Sequence, residues 1–109
     1  LDENGGPNHV GNYCSAPIIV DTNTQEILYQ SSYYYLGHFS RFIKRGDRII
    51  ECENKTDNLL ALASINESGI TTTVVMNKKN TQGNCTYMNG EFILDLCIPS
   101  RSIVTLINV

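Results

Sequence analysis

From residue 46 to the C-terminus, apolar and polar side chains alternate in short runs that are separated by turn residues. A period of two residues is typical of β-strands, because successive side chains of a strand point to opposite faces. Six short strands at regular spacing are typical of a small antiparallel β-sandwich. We therefore expect 46–109 to form a mainly β, C-terminal sandwich domain. The predicted strands are 48–52, 59–65, 70–76, 85–88, 91–97 and 102–107.

The fourth and fifth of these strands flank Asn89-Gly90, the strongest short signal for a β-hairpin. A two-residue turn formed by Asn89 and Gly90 places Cys85 opposite Leu94. Cys97 then lies three residues further along and on the other face of the hairpin. The pattern therefore predicts that Cys85 and Cys97 are not bridged to each other, since a disulfide needs closely facing Cβ atoms.

A helical period precedes the strands. Over 33–43 the apolar residues recur at positions i, i+1, i+4, i+7 and i+8, which form one stripe on a helix. Gly46 is a predicted left-handed stop, so we expect the helix to lie within 30–45. Tyr33 and Tyr34 point away from the stripe, which favours a helix packed between two bodies. The stripe consists of Tyr35, Leu36, Phe39, Phe42 and Ile43.

Residues 1–29 are predicted to form a loop followed by a short hairpin. Glycine and proline punctuate the loop over 1–15. The apolar run 16–20 is the first predicted strand, 21–24 is a turn of polar residues, and 26–29 is the returning strand. The whole chain is thus expected to be mainly β, with one helix between the hairpin and the sandwich.

Composition excludes some functions. The 109 residues suit one domain or less, and no apolar run is long enough to span a membrane. The polar first residues do not resemble a signal peptide, so a leader would have to lie on a preceding segment. A net charge of −3 without a block of basic residues argues against nucleic acid as a partner.

His38 and the three tyrosines 33–35 are the most tempting candidates for chemistry. His38 lies on the flank of the helical stripe with no serine or cysteine nucleophile beside it, so we expect a packed or hydrogen-bonded histidine. Successive residues of a helix are turned 100° apart, so the tyrosines cannot form one platform for a sugar. We interpret them as packing residues.

Cysteines and asparagines indicate the compartment. The four cysteines lack the Cys-x-x-Cys spacing that would suggest a zinc site. We assign no metal ligand and expect no cofactor. Three sequons, at Asn54, Asn66 and Asn84, are candidate sites of N-linked glycosylation. Three sequons in about half the chain favour a protein of the secretory route, where disulfides are also permitted; the four cysteines are Cys14, Cys52, Cys85 and Cys97.

Several segments carry a resemblance to a known family. The run Tyr-Tyr-Leu-Gly-His-Phe-Ser-Arg-Phe-Ile at 34–43 resembles the end of the catalytic barrel in family 30 glycoside hydrolases. Gly-Gly-Pro-Asn at 5–8, Asn12-Tyr13 and Ser-Ala-Pro-Ile-Ile-Val-Asp at 15–21 extend the resemblance upstream. It continues more weakly to the C-terminus. It therefore covers essentially the whole chain, but only about the last fifth of such an enzyme.

The resemblance implies a fold derived from a (β/α)8 barrel plus a β-sandwich. Residues 1–29 would follow the last barrel strand, 30–45 would be the final barrel helix, and 46–109 would be the sandwich. In this family the sandwich is completed by strands from the N-terminal part, which this chain lacks, so we expect an incomplete sandwich. A core this small is marginal without a neighbour to pack on.

The resemblance also implies an activity, the hydrolysis of glucosylceramide to glucose and ceramide by a retaining β-glucosidase. Such an enzyme needs two carboxylates about 5–5.5 Å apart. The eleven acidic residues of this chain are scattered, and alternation puts Asp95, the one in an apolar strand context, on an outer face. In the family the catalytic pair lies on earlier barrel strands, so we assign no catalytic residue here and expect the chain alone to be inactive.

Asn12 and Tyr13 are the predicted substrate-binding residues. By resemblance they lie in the loop after the last barrel strand, at the rim where barrel enzymes bind substrate. The matching asparagine of the glucosylceramide-hydrolysing members bonds the glucose unit, and an aromatic neighbour walls the pocket. His9 and Gly11 stand where those members have tryptophan and arginine, so the aglycone side stays open.

Partners and location follow from the same resemblance. It implies glucosylceramide at a membrane surface as substrate, a saposin-type activator, the N-terminal catalytic barrel as a structural partner, and a lysosomal or secreted location. Two alternatives remain open: a free-standing carbohydrate-binding sandwich without catalysis, and another family 30 activity on xylan or β-1,6-glucan.

Overall fold

Two units make up the chain in the computed structural model, Leu1–Gly37 and His38–Val109. The structure describes residues 1–6, 8–11 and 13–109. The described part contains one α-helix and eight strands, and every strand pair is antiparallel. The predicted fold class, mainly β with one helix, is confirmed.

The first unit carries a short hairpin. A 3-10 helix, Asn8–Val10, precedes strands β1 (Ile18–Val20) and β2 (Ile27–Tyr29). The turn between the strands is fixed by Asp21, whose Oδ1 accepts hydrogen bonds from the amides of the second and third residues after it at 2.9 and 3.0 Å. Both strands and the turn predicted for this segment are confirmed.

The helix α1 (Ser31–Ser40) is shorter than the predicted segment 30–45. A separate turn follows over 44–47, in which the backbone amide of Asp47 donates to the carbonyl of Lys44 at 3.1 Å and the Asp47 carboxylate accepts from the Lys44 amide at 2.8 Å. Gly46 has the expected left-handed conformation, with φ of 100°, but it belongs to this later turn. The helix thus ends at Ser40, six residues before the predicted glycine stop.

The apolar stripe of α1 is only half-covered. No residue of the helix is buried, and Leu36 and Phe39 are 56% and 37% exposed. Tyr33 and Tyr34 stay 41% and 59% exposed, so neither of them is a core residue in the described part of the chain, although the ring of Tyr33 packs on Tyr29 with centroids 4.7 Å apart. The rings of Tyr33 and Tyr34 also pack edge to face on each other, with centroids 5.3 Å apart.

The second unit is a two-layer sandwich. Its four-stranded sheet has the order β3-β4-β5-β8, and the remaining two strands form a separate hairpin. All six strands predicted from the period of two are present. Their bounds are β3 Arg48–Ile50, β4 Leu59–Ile65, β5 Thr71–Asn77, β6 Gly83–Asn89, β7 Phe92–Ile98 and β8 Ser102–Asn108.

The core lies where the β6–β7 hairpin crosses the sheet. Leu59 of β4, Val75 of β5 and Ile98 of β7 form its buried cluster, at 4%, 5% and 1% exposure. Gly83 permits the close approach, because a Cβ at this position would stand 2.7 Å from Cδ2 of Leu59. The lack of a side chain at Gly83 therefore allows the two layers to approach this closely at Leu59.

The hairpin register differs from the predicted one. Asn89 pairs with Phe92, so the two loop residues are Gly90 and Glu91 rather than Asn89 and Gly90. Gly90 has φ of 61°, which matches the first central position of a type II′ turn. The pairing is shifted by two residues, and Cys85 lies opposite Leu96 instead of Leu94.

A shift by two leaves every side chain on the face predicted for it. Cys85 is half-buried on the inner face, and Cys97, opposite Asn84, is exposed on the outer face. The four cysteines all lie within the described residues and have free thiols. The expectation of disulfides is therefore not met in this structure.

The central strand β5 is buried on both faces. Thr73 and Val75 face the hairpin, whereas Thr72 and Val74 face the opposite side of the sheet. On that opposite side Thr105 of β8 pairs with Val74. The hydroxyl of Thr105 is hydrogen-bonded to His38 in the last turn of α1, so the second face of the sheet is in contact with the start of this unit.

Candidate functional site

The predicted substrate loop lies in the first unit. Asn12 is outside the described residues, so nothing of its structure is stated. Its neighbour Tyr13 is 78% exposed and lies with one ring edge against Gly5, whose added Cβ would stand 2.7 Å from the ring. Gly5 is buried and has φ of 74°, a conformation that favours glycine. The loop thus exposes most of the Tyr13 ring to solvent, and one edge of the ring packs on Gly5.

Glu3 ties this loop to the β1–β2 turn. Its carboxylate accepts hydrogen bonds from the amide and hydroxyl of Thr22, at 2.9 and 2.7 Å, and from the side chain of Asn23 at 3.1 Å. The hydrogen bond from the Thr22 amide is the largest of the causes that lower the pKa of Glu3. A lowered pKa keeps the carboxylate ionised, which suits a structural clamp and is opposite to what a general acid requires.

Asp95 is also placed as predicted, on the outer face of the hairpin. It is exposed, and its Oδ1 accepts a hydrogen bond from the hydroxyl of Thr86, its partner across the strands, at 2.8 Å. This is a cross-strand pair on a solvated surface. It has the surroundings of a structural aspartate and not those of a catalytic acid in an apolar pocket.

His38 has the role expected of it. Its Nδ1 lies 2.8 Å from Oγ1 of Thr105, with the donor set by the tautomer. No serine or cysteine takes part in this contact. His38 is a half-buried, hydrogen-bonded residue, and its contact with Thr105 lies within the second unit.

The second unit contains a cleft of about 590 Å³ between its two layers. The sheet supplies Ala61 and Thr73, the hairpin supplies Tyr87, and the loop after β3 supplies Cys52 and Asn54. The Tyr87 hydroxyl lies 3.2 Å from the hydroxyl of Thr73, so a polar pair bridges the layers at this cleft. The cleft was not predicted from the sequence. The sequence feature that could have indicated it is the long polar loop over 51–58, which connects β3 and β4 and lines the cleft.

Asn54, Asn66 and Asn84, the predicted glycosylation sites, lie on three different elements. Asn54 is exposed in the loop after β3, Asn66 is half-buried at the start of the β4–β5 turn, and Asn84 is exposed on β6. None of them is in the first unit with Tyr13.

Metal binding and membrane spanning find no support in the part of the chain that the structure describes. No three histidine, cysteine or acidic side chains there come together as a group that could hold a metal ion. Among the same residues, no helix combines the length and apolar character that crossing a membrane demands.

Comparison with known families assigns both parts of the chain. Residues 1–43 match the TIM-barrel domain of glycosyl hydrolase family 30, and residues 48–106 match the β-sandwich domain of the same family. The chain belongs to glycoside hydrolase family 30. The resemblance seen in the sequence is confirmed.

Two curated relatives resemble the chain over nearly its whole length. It is 36% identical over 112 residues to "Putative glucosylceramidase 3" of Caenorhabditis elegans, and 33% identical over 107 residues to lysosomal acid glucosylceramidase of Mus musculus. These matches cover 98% and 96% of this chain. The chain spans only 21% of either relative.

Two solved structures contain a part with the same fold. The crystal structure of SrfJ from Salmonella typhimurium matches 98% of this chain with a TM-score of 0.93 and 31% identity, over 24% of its own length. The endo-β1,6-glucanase BT3312 matches 96% of the chain with a TM-score of 0.79 and 24% identity, again over 24% of its length. The second likeness concerns the fold alone.

Proposed function

We propose that this chain is the C-terminal part of a retaining β-glucosidase that hydrolyses glucosylceramide to glucose and ceramide. The observation that carries the proposal is the match of both parts of the chain to family 30, together with identities of 36% and 33% to proteins named as glucosylceramidases. The two catalytic carboxylates would come from earlier barrel strands of the longer protein.

Within that enzyme, Asn12 and Tyr13 would contribute to substrate binding. An asparagine amide can donate to one sugar hydroxyl and accept from another, and an aromatic ring can line the pocket beside it. The exposure of the Tyr13 ring and the Glu3 clamp on the same loop support this role. A loop that is fixed by the hydrogen bonds of Glu3 and exposes the aromatic ring of Tyr13 to solvent is suited to contact a ligand.

The sandwich would serve as a structural partner of the barrel. Its cleft of about 590 Å³ opens between two layers of unequal size, a four-stranded sheet and a single hairpin. Strands from the N-terminal part of the enzyme would complete the smaller layer and fill this cleft. The half-covered stripe of α1 would likewise pack in the intact barrel.

The proposed substrate sets the surroundings in which the enzyme works. Glucosylceramide is held in a membrane, so the enzyme would act at a lipid surface with the help of a saposin-type activator. The similarity to a lysosomal enzyme and the three sequons favour a lysosomal or secreted protein that is made along the secretory route.

The test is to compare the complete protein with the isolated chain on four substrates: glucosylceramide in detergent-dispersed lipid, a fluorogenic β-glucoside, xylan and β-1,6-glucan. We expect the complete protein to release glucose from glucosylceramide, and the isolated chain to release nothing above buffer. Preferred cleavage of xylan or β-1,6-glucan would replace the proposed substrate by another family activity. Hydrolysis by the isolated chain would overturn the assignment of the catalytic carboxylates to the barrel.

The second candidate, a free-standing carbohydrate-binding sandwich, has the cleft in its favour, because Tyr87 and the polar loop over 51–58 line it. The two candidates differ in the size of the native protein. A native mass near 12.2 kDa, that of the chain alone, with retention on a glucan column would favour the binding module. A several-fold larger mass favours the enzyme.

A further inference from the structure

The three sequons differ in how the structure uses the asparagine amide. At Asn54 both ends of the amide are occupied. Nδ2 donates to the backbone carbonyl of Leu59 at 2.5 Å, and Oδ1 accepts from the amide and the hydroxyl of Thr56, both at 3.0 Å. The side chain thereby closes the loop that leads into β4.

Asn66 uses only the oxygen of its amide. Oδ1 accepts from the backbone amides of Ser68 and Ile70, each at 2.9 Å, and fixes the β4–β5 turn. Nδ2 donates to no protein acceptor among the described residues. Because the two polar atoms of an amide point in different directions, an oxygen fixed on the turn directs the nitrogen away from it.

Asn84 has an open position on the outer face of the hairpin. It is exposed, and its Oδ1 accepts from Nε2 of Gln82 at 3.0 Å. Nδ2 has no protein acceptor in the described part of the chain. Thr86, Asp95 and Cys97 surround a shallow hollow beside it, on the side of the hairpin that faces away from the cleft.

We propose that Asn66 and Asn84 carry N-linked glycans in the mature protein and that Asn54 does not. The proposal rests on the secretory route that belongs to the proposed function. In this modification Nδ2 forms a bond to C1 of the first N-acetylglucosamine of a lipid-linked oligosaccharide. The lipid diphosphate leaves and the amide loses one proton.

Attachment at Asn54 conflicts with the folded loop. A glycosylated asparagine keeps one amide proton, but its nitrogen carries a sugar ring as well. At Asn54 that nitrogen lies 2.5 Å from the Leu59 carbonyl, and both residues line the cleft, so a sugar on this nitrogen would be crowded by the start of β4 and would weaken the contact that closes the loop. Glycans are added to the nascent chain before it folds. Molecules modified at Asn54 would then fail to close the loop, and we expect the cell to retain them instead of secreting them.

Attachment at the other two sites costs no contact. At Asn66 and Asn84 the fold holds the amide by its oxygen, and the nitrogen has no protein acceptor to lose among the described residues. A glycan on Asn84 would cover the outer face of the β6–β7 hairpin. A glycan on Asn66 would cover the end of the sheet.

The experiment uses the complete protein secreted from an animal cell line. Enzymatic removal of N-glycans in heavy-oxygen water converts each occupied asparagine to a labelled aspartate, which peptide mass spectrometry locates. We expect label at Asn66 and Asn84 and none at Asn54. Label at Asn54, or its absence from either of the other two sites, would overturn the proposal.

Matched variants provide a second readout by gel mobility. Asn66→Gln and Asn84→Gln should each remove one glycan, whereas Asn54→Ala and Thr56→Ala should remove none. Asn54→Ala should also lower the secreted yield several-fold relative to Thr56→Ala, which destroys the sequon but keeps the hydrogen bond to Leu59. A one-glycan shift in either of these two variants would contradict the proposal.

The same preparation is assayed on glucosylceramide, so that failure of the proposed activity is scored independently of the glycan map. An active enzyme that is glycosylated at Asn54 would refute only this inference. An inactive protein with the expected map would refute only the proposed function.

Discussion

Asn77 and Ile98, two of the most deeply buried side chains of the sandwich, are joined by a hydrogen bond of 3.2 Å from Nδ2 of Asn77 to the carbonyl oxygen of Ile98. The same nitrogen also lies 2.8 and 3.0 Å from the carbonyl oxygens of Thr81 and Pro99, so its two N–H groups are shared among three acceptors. The end of β5, the loop that follows it and the end of β7 therefore meet at one amide. This side chain fixes the hairpin on the sheet.

Replacing Asn77 with alanine should lower the free energy of unfolding by about 1–3 kcal/mol, because the carbonyls of Thr81, Ile98 and Pro99 lose their hydrogen-bond donor. Asn77→Asp should cost more, since a carboxylate would face three carbonyl oxygens. Urea unfolding of the complete protein measures the change. The control is Ser100→Ala in the exposed turn before β8, expected within about 0.5 kcal/mol of wild type. Equal effects of the three substitutions would show that Asn77 does not hold the layers together.

Gly83→Ala should destabilise the sandwich by about 1–3 kcal/mol, because the new Cβ would stand 2.7 Å from Cδ2 of Leu59. Leu59→Ala should cost about 2–5 kcal/mol by itself through the cavity it leaves. In the Leu59→Ala background the space is open, so adding Gly83→Ala should cost little. A double-mutant cycle measures this coupling, and simple additivity of the two changes would contradict the close approach of the layers.

Cys85 should react with iodoacetamide several-fold more slowly than Cys97 on the same hairpin. Burial raises the pKa of the Cys85 thiol, and the thiolate is the reactive form. Raising the pH should therefore speed the labelling of Cys85, and this increase should continue to higher pH than for an unperturbed thiol. The experiment uses the Asn84→Gln variant, so that no glycan shields Cys97. Equal rates at both cysteines would argue against the inner and outer faces assigned to them.

Asn12→Ala should lower kcat/KM of the complete enzyme on a short-chain β-glucoside by roughly 3- to 30-fold, the range expected for a lost hydrogen bond to the sugar. Loss of a catalytic carboxylate would instead cost several orders of magnitude. Labelling by a mechanism-based inhibitor should persist, because the nucleophile is intact. Asn4→Ala in the same loop is the control. A variant with wild-type kcat/KM would remove Asn12 from the substrate site.

The isolated chain should associate in solution. Apolar residues of α1 and of the outer face of the β6–β7 hairpin are exposed, with Leu36 at 56%, Met88 at 66% and Ile93 at 61%. Exposed apolar surface and unpaired strand edges favour aggregation. Gel filtration over a range of concentrations tests this expectation. A single sharp monomer peak at high concentration would contradict it.

The sequence by itself determined the elements that depend on local pattern. Strand β4 has the bounds that its period of two predicts. The β4–β5 turn follows from two residues: the side-chain oxygen of Asn66 accepts hydrogen bonds from the turn, and Gly69 has the required positive φ of 79°. These features need only a few neighbouring residues. The role of His38 as a hydrogen-bonded helix residue was also predicted from the absence of a nucleophile, but its partner Thr105 lies 67 residues away and only the fold could supply it.

The tertiary structure alone decided the hairpin register and the cleft. A shift of two residues keeps each side chain on its face, so the hydrophobic pattern of β6 and β7 is satisfied equally by both registers. What selects the observed one is a long-range fit: Gly83 must lie against Leu59 and pair with Ile98, so that Ile98 can enter the core. Such a fit depends on residues from different strands meeting in space, and no local pattern records it.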